Sequence, residues 1–513
     1  MAEKIFAAID VGSFEISMKI YEISSKNKMN EIDHVRHRLA LGYDSYNNKK
    51  ISVEKIDELC RVLREYKKIM NTYKVDAYRA YGTSAFRETE NTLIIQDYIK
   101  NRTGIWVDVL SNSEQRFLDY KSIASKGNDF KKIIDKSTAI IDIGGGNIQV
   151  SLFDKDTLVS TQDVKLGVLR LKDRIDKMGI TKLKIFDILD EMIASQMNVY
   201  KKLYLRDSKL DNLIIVDEYV CRVLNNDIFS NAVNGIVSAE DFNCFYEMLR
   251  EKSYESISDE LEIPEENVEL LIVSASIIYY IMNMCQAKNI WAPGVTICDG
   301  IAYEYAKDCG IDISDHDFEK DILASAMNIS KRYQGSKKRT EALELMALAI
   351  FDAMQSVHGM SKRERFLLQL AAILSDCGKF INMTNVGECS YNIVKNTEII
   401  GLSHQERQII AYVVKFNHDE FEYFEVLSHS DSISHKDYLI IAKLTAILRI
   451  AGGLDKSHKH KFTNIKVVLK EDKLKIMLEG QQDIIFEQSA VNKKMAFFWE
   501  VYNIEPVIIQ IKN

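Results

Sequence analysis

The sequence predicts an α/β protein of two similar lobes, followed by a domain of helices alone and a small α/β tail. Three observations carry that expectation. Two strand–turn segments lie about 130 residues apart, Ala8-Ile9-Asp10-Val11-Gly12-Ser13 and Ile140-Ile141-Asp142-Ile143-Gly144-Gly145-Gly146-Asn147. Each is followed by a second apolar run, Ile16-Ser17-Met18-Lys19-Ile20 and Val150-Ser151-Leu152-Phe153, so each reads as a β-hairpin closed by glycine. From about residue 316 strand patterns vanish and amphipathic helices follow one another to about 453.

Taken in order, residues 4–24 alternate as a hairpin, a further strand is expected near 35–42, and a helix over 52–72. Asp76 to Ala85 reads as a strand entering a helix, with Thr83 or Ser84 as its N-cap. A helix at 92–102, a strand at 105–110 and a helix from 114 complete a first lobe, placed at 1–124. A second lobe, 125–310, contains the glycine hairpin from 138, a helix at 181–204, the strand 212–216, and helices at 238–250 and 265–286. The helical domain, 311–457, is expected to hold helices at 317–333, 339–357, 363–376, 404–417 and 435–450. The tail, 458–513, reads as strands at 464–470 and 473–479, a helix at 489–501 and a strand at 507–511.

Composition narrows the class. Of 513 residues 46% are apolar, enough for several large cores, and 28% are charged with a net charge of −8. An acidic balance points away from nucleic acid and from an anionic membrane surface. The N-terminus runs straight into a strand without a signal-peptide pattern, and the eight cysteines are scattered without a C-x-x-C pair, so a reducing cytoplasm is the expected location. The three prolines, Pro264, Pro293 and Pro506, mark no boundaries.

The two hairpins also carry the first chemistry. Glycine lets backbone N–H groups approach a phosphate closely, and Ser13 or Asn147 adds a side-chain contact. Asp10 and Asp142 stand where a carboxylate holds Mg²⁺ or its water beside that phosphate. One such hairpin reads as an ordinary tight turn. Two, with matched Asp–x–Gly spacing, predict a phosphate cleft between lobes that includes Gly12, Ser13, Gly144, Gly145, Gly146 and Asn147.

Other segments admit two readings. Thr83-Ser84-Ala85-Phe86-Arg87 is either an anion site, with Ser84 and Arg87 at a helix N-terminus, or an N-cap beside a surface arginine. Ser111 with Glu114 is a capping box, a structural explanation; a carboxylate facing a phosphate cleft is the functional one. Basic clusters at Lys337-Lys338-Arg339, Lys362-Arg363 with Arg365, and Lys456 through Lys461 are solvated faces or a polyphosphate track. Asp376, His418 and Asp455 look like remnants of a helical metal site, but Ser375 stands where a histidine ligand is needed, so this domain is expected to hold no catalytic metal.

In this order the motifs resemble the exopolyphosphatase/guanosine pentaphosphate phosphatase (Ppx/GppA) family. They run Ala8 to Ser13, Thr83 to Arg87, Leu110-Ser111 with Glu114-Gln115, Ile141 to Gly146, Leu166-Gly167-Val168 and Cys298-Asp299-Gly300, then Ala371 to Gly378 in the helical domain. The resemblance implies two actin-like (ASKHA, ribonuclease-H-like) lobes, an HD-like helical domain, and Mg²⁺-dependent cleavage of phosphoanhydrides between the lobes. It implies inorganic polyphosphate or guanosine pentaphosphate as substrate, with a homodimer as one expected assembly.

The chain departs from that family at several positions. Gln115 stands where the family's catalytic glutamate is expected, leaving Glu114 as the neighbouring carboxylate. Gln149 replaces a second glutamate, Phe14 an asparagine, Tyr303 an arginine, and Asp217-Glu218-Tyr219-Val220 a glycine-rich loop. Glutamine accepts no proton at neutral pH. Three functions follow as alternatives: a phosphoanhydride hydrolase of reduced efficiency, a catalytically impaired protein that binds polyphosphate, nucleotide or a protein partner as a regulator, or a sugar or acetate kinase. The last is disfavoured because residues 211–225 contain no glycine for an adenosine loop.

Overall fold

The computed structural model describes residues 3–511 except 27, 180, 181, 207, 225–234, 431, 432 and 463. The chain forms two compact units, Met1–Phe318 and Glu319–Asn513.

The first unit contains the same sheet twice. Strands β1 (Lys4–Val11), β2 (Glu15–Ser24), β3 (Lys28–Arg38), β4 (Ala77–Gly82) and β5 (Asp108–Val109) lie in the order β3-β2-β1-β4-β5. Strands β6 (Thr138–Ile143), β7 (Ile148–Asp154), β8 (Thr157–Val164), β9 (Asn212–Val216), β10 (Ile236–Ser238) and β11 (Asn289–Trp291) lie in the order β10-β11-β9-β6-β7-β8. From β8 to β11 this repeats the first order: three antiparallel strands, then two joined in parallel. This duplicated sheet is the ribonuclease-H-like pattern expected of two actin-like lobes.

The central strands β1 and β6 are covered on both faces and so read as near-continuous apolar runs. In each, the run toward the turn is interrupted by one half-buried residue, Asp10 or Asp142. The first core joins Ala7, Ile9 and Val11 to Leu59 and Leu63 of helix Val53–Thr72 and to Ile95 and Ile99 of helix Thr92–Thr103. The second joins Ile141, Ile143 and Ile215 to the long apolar helix Glu265–Cys285. That helix is long and apolar enough to cross a membrane, but 72% of its most apolar window is buried inside the protein.

Two helices link the lobes. Helix Asn112–Ala124 follows β5, yet its Arg116 donates to Gln149 of β7 and to Thr161 of β8, both at 2.9 Å. Helix Ile297–Asp308 follows β11, yet it lies on the first sheet, where Tyr305 stacks on Phe6 with ring centroids 4.1 Å apart. Its Asp299 bonds Lys19 and Tyr21 of β2, each at 2.9 Å. The two helices pack on each other, with Gly300 against Leu118.

Several local expectations need correction. The strand near 35–42 is β3, Lys28–Arg38, followed by an unanticipated helix, Leu41–Asn48. As an edge strand, β3 is largely exposed and polar, which leaves little apolar alternation to read. The expected strand at 105–110 shrinks to Asp108–Val109, and β8 and the helix Val386–Asn396 were not anticipated. The expected helix 339–357 is Lys337–Ala353 plus a separate turn, Gln355–His358, ended by Gly359 at φ +64°. Residue 181, the expected start of one helix, lies outside the described residues; the helix runs Lys182–Tyr200.

In the second unit, helices Lys337–Ala353, Lys362–Leu374, His404–His418 and His435–Leu454 pack together. The tail forms a three-stranded sheet of β12 (Asn464–Lys470), β13 (Lys473–Glu479) and β14 (Glu505–Ile511). Its helix Ile485–Tyr502 docks on His435–Leu454, where the Tyr502 hydroxyl donates to the Lys443 carbonyl at 2.9 Å.

Candidate functional site

The two glycine turns have the same construction. Gly12 N–H donates to the Glu15 carbonyl and Gly144 N–H to the Asn147 carbonyl, both at 3.0 Å. Each bond closes a turn two residues after its aspartate and uses only the first glycine's N–H. At Gly12 a Cβ would stand 2.7 Å from the Glu15 carbonyl oxygen, so glycine is required there. The turns meet: a Cβ on Gly145 would lie 3.2 Å from Ser13 Cβ.

They bound a cleft of about 640 Å³ between the lobes. Of the residues singled out from the sequence, Asp10, Gly12, Ser13, Ser84, Gln115, Asp142, Gly144, Gly145 and Asn147 line it. Ser13, Ser84 and the unanticipated Tyr46 form a triangle of hydroxyls, with oxygens 2.6 to 2.9 Å apart.

Three singled-out residues lie outside the lining. Gly146 backs onto Tyr46, and its carbonyl accepts from Arg170 at 2.8 Å. Arg87 stands behind Gln115, donating to its Oε1 at 3.0 Å and to the Leu110 carbonyl at 2.8 Å; its buried Nη2 has no hydrogen-bond partner among the described residues. The helix expected to present Arg87 is a single turn, Ser84–Arg87, without a side-chain cap. Such a short turn lacks the dipole invoked from the sequence. Glu114 forms both halves of the capping box, accepting from Ser111 N–H at 2.9 Å while its own N–H donates to Ser111 Oγ at 3.3 Å. Gln115, one residue on, is the side chain facing the cleft.

The cleft is rich in carboxylates: Asp10, Glu15, Asp119, Asp142, Asp217 and Glu218 all line it. Arg36 and Arg222 also line it, but both serve Glu15, at 3.7 and 3.1 Å. Burial, with Glu15 and Asp142 nearby, pushes the Asp10 carboxyl up to about 8. Burial lifts Asp142 to about 6, against the hydrogen bond with Asp119 and the charge of Arg116. Burial and the negative charge of Asp142 hold Asp119 well above the usual carboxylate range. Glu218 is raised by burial and by Glu15, Asp10 and Asp217. Asp217 is structurally committed: it caps helix Val220–Leu224 by accepting from the N–H groups of Tyr219 and Val220, and it accepts from Ser274 Oγ at 2.6 Å.

This donor set fits magnesium. The ligands are hard oxygens, and the buried Asp10 Oδ1 has no hydrogen-bond partner among the described residues. No three acidic, histidine or cysteine side chains among the described residues stand ready as a ligand cage. Mg²⁺ commonly binds through one or two carboxylates and completes its shell with water and substrate phosphate.

The sequence reading missed Asp119, Tyr46, Arg170 and the role of Phe14. Asp119 carried a signal, lying one helical turn from Gln115 on the same face. Arg170 grips Glu88 of the first lobe through Nη2, at 2.9 and 3.0 Å, fastening the lobes beside the site. Phe14 leaves the first turn and joins the core of the second lobe, its ring 5.6 Å from that of Tyr219. Among the other departures, Gln149 accepts from Arg116 and Tyr303 bonds Ser314 at 3.1 Å, both outside the cleft lining.

In the second unit the remnant metal residues have protein cations for partners. Arg339 donates to Asp455 at 3.0 Å, Lys379 to Asp376 at 2.7 Å, and His418 Nε2 lies 3.4 Å from Asp376. Burial alone raises Asp376, but the hydrogen bonds from His418 and Lys379 and the positive charges hold it below the usual carboxylate range. Arg363 pairs with Glu406 and Arg365 with Asp352, so the arginines expected to mark a polyphosphate track are engaged in ion pairs.

Comparison with known proteins agrees with this architecture. The model of the Ppx/GppA phosphatase family matches residues 20–307, and that of Ppx/GppA phosphatase domain III matches residues 323–495. A guanosine-5'-triphosphate,3'-diphosphate pyrophosphatase of Photobacterium profundum is 21% identical over 420 residues, 80% of each chain. That of Vibrio atlanticus is 20% identical over 455 residues, 86% of each chain. The crystal structure of an exopolyphosphatase from Cytophaga hutchinsonii has the same fold, with a TM-score of 0.51 at 17% identity, covering 61% of this chain and all of that one.

Proposed function

The chain belongs to the Ppx/GppA phosphatase family, and from that premise we propose that it removes the terminal phosphate of inorganic polyphosphate or guanosine pentaphosphate, with Mg²⁺ as cofactor. The observation that carries this reading is the meeting of two identically built Asp–x–Gly turns across one cleft. The first glycine's N–H closes each turn, which leaves the following amides, Ser13-Phe14 and Gly145, for phosphate oxygens. The hydroxyls of Ser13, Ser84 and Tyr46 give further contacts at the same end.

A polyanion entering a cleft lined by seven acidic residues and two engaged arginines needs counter-charge. Asp10 and Asp142 would hold Mg²⁺, which would supply that counter-charge beside the terminal phosphate. The protein's own part is to hold the phosphate between the turns and to aim a water at its phosphorus.

A second reading, a binding protein with impaired catalysis, is favoured by one observation. Gln115 and Gln149 are neutral amides held by Arg87 and Arg116. Phosphate release from long-chain polyphosphate and from guanosine pentaphosphate, with Mg²⁺, decides between them. Turnover well above a denatured control supports the hydrolase. Submicromolar binding of either ligand without release identifies the binding protein.

A further inference from the structure

We infer that Arg36 and Arg222 form a second phosphate subsite in the cleft, gripping the phosphates that follow the terminal one, and that Glu15 holds their place until substrate arrives. The assignment rests on the hydrolase reading above and names the residues that select a phosphate chain over a single phosphate.

Of the residues that line the cleft, Arg36 and Arg222 carry the positive charge. They come from opposite lobes, Arg36 from β3 and Arg222 from helix Val220–Leu224. Both converge on one carboxylate. Arg222 Nη2 donates to Glu15 Oε2 at 3.1 Å, and Arg36 Nε lies 3.7 Å from Glu15 Oε1. Glu15 is also the residue whose carbonyl closes the first turn, accepting from Gly12 N–H at 3.0 Å. The trio therefore adjoins the turn that offers the Ser13 and Phe14 amides to the terminal phosphate.

Most of this cationic capacity is unspent. A guanidinium has five N–H donors. Arg222 gives one to Glu15, and the others have no partner among the described residues. Arg36 is braced by His34, which accepts from its Nε at 2.9 Å and faces its Nη2 at 3.3 Å; its Nη1 has no partner among the described residues. Both arginines are also held from below. On the ladder between β2 and β3, Arg36 faces Ser17, another lining residue. The helix that carries Arg222 is fixed at its start by Asp217, which accepts from the N–H groups of Tyr219 and Val220.

An internal phosphate of a chain presents two free oxygens and one negative charge, as a carboxylate does. Glu15 thus occupies the arginines in the way a chain phosphate can, and guanidinium groups accept phosphate oxygens in paired, charge-assisted bonds. Ion pairs between part-exposed side chains are weak, and the side chains of Arg36 and Arg222 are 36% and 49% exposed. Glu15 can therefore give way to an incoming chain. A lone orthophosphate fills the turns and leaves the trio intact.

Calorimetric titration of the whole chain with Mg²⁺ tests this, using long-chain polyphosphate and guanosine pentaphosphate as ligands and orthophosphate as a competitor. Arg36→Gln and Arg222→Gln should each weaken binding of the chain ligand by about tenfold, the lower end for hydrogen bonds to charged groups, while orthophosphate stays within about twofold of wild type. Either variant carries the test if the other fails to fold. Glu15→Gln should tighten chain binding by freeing both arginines, and that gain should vanish when both arginines are also replaced by glutamine. A gain that persists there reports only the removal of negative charge and overturns Glu15 as the placeholder. Weaker binding in Glu15→Gln would make the trio a latch between lobes and overturn the proposal, as would an equal loss of orthophosphate in the arginine variants. Wild-type affinity in both arginine variants overturns the subsite and leaves the hydrolase reading standing. A wild type that neither binds nor cleaves either chain ligand overturns both.

Discussion

Gly300 and Leu118 bring two helices to backbone contact: a Cβ at position 300 would lie 2.0 Å from the Leu118 carbonyl oxygen. No rotamer change relieves such a clash, because the obstacle is main chain. Gly300→Ala should therefore destabilise the protein by about 2–3 kcal/mol or more, the upper range for overpacking. Thermal unfolding measures the loss. Because this contact also sets the position of Gln115 and Asp119, phosphate release should fall even in the folded fraction.

Glu114→Gln should leave turnover unchanged. Its carboxylate serves the helix, accepting from Ser111 N–H. Losing part of that cap costs about 0.5–1 kcal/mol. Paired denaturant melts and phosphate assays check both halves, and a large fall in kcat would return Glu114 to the cleft chemistry.

Arg339→Met should cost about 3–5 kcal/mol, because it leaves the buried Asp455 without its cation. Elemental analysis of the purified protein should find no stoichiometric metal that depends on Asp376. Metal retained in wild type and lost in Asp376→Ala would show that the helical residues still bind one.

His34 gives the fold an acid-sensitive element. Burial, then the charges of Arg36 and Lys19, lower its imidazole from 6.5 to about 3. Arg36 Nε donates to its ring nitrogen at 2.9 Å, which suits the neutral form. The unfolded chain takes up this proton first as pH falls, so the stability tied to His34 is complete above about 6.5 and is lost on the way to about 3. His34→Gln should reduce the slope of unfolding free energy against pH in that window, by on the order of 2 kcal/mol in total. An unchanged slope in the variant would show that other groups govern acid unfolding.

Much of the first unit was legible because period-two alternation and glycine turns are local signals. Asp10 and Asp142 stood out as polar breaks in buried strands, and the structure places both in one cleft. Arg87 was harder to place, because its partners Leu110 and Gln115 lie 23 and 28 residues away. Phe14 looked like a simple replacement in a turn, whereas its burial in the opposite lobe depends on a tertiary contact that no local pattern encodes. Tyr46 lies in helix Leu41–Asn48, a stretch to which the sequence pattern assigns no element between the strand and the helix at 52–72. The Arg339–Asp455 pair joins positions 116 residues apart, beyond the reach of any periodicity argument.

The crossing of helix Ile297–Asp308 onto the first sheet sets an order of events during synthesis. Strand β1 emerges from the ribosome long before helix Ile297–Asp308, but its Phe6 is covered by Tyr305, and Ala8 receives the thiol of Cys298 at 3.6 Å. The apolar underside of the first sheet therefore stays bare until about 300 further residues have been translated. At 5–20 residues per second that interval lasts roughly 15 to 60 seconds, long enough for chaperones to engage the nascent chain.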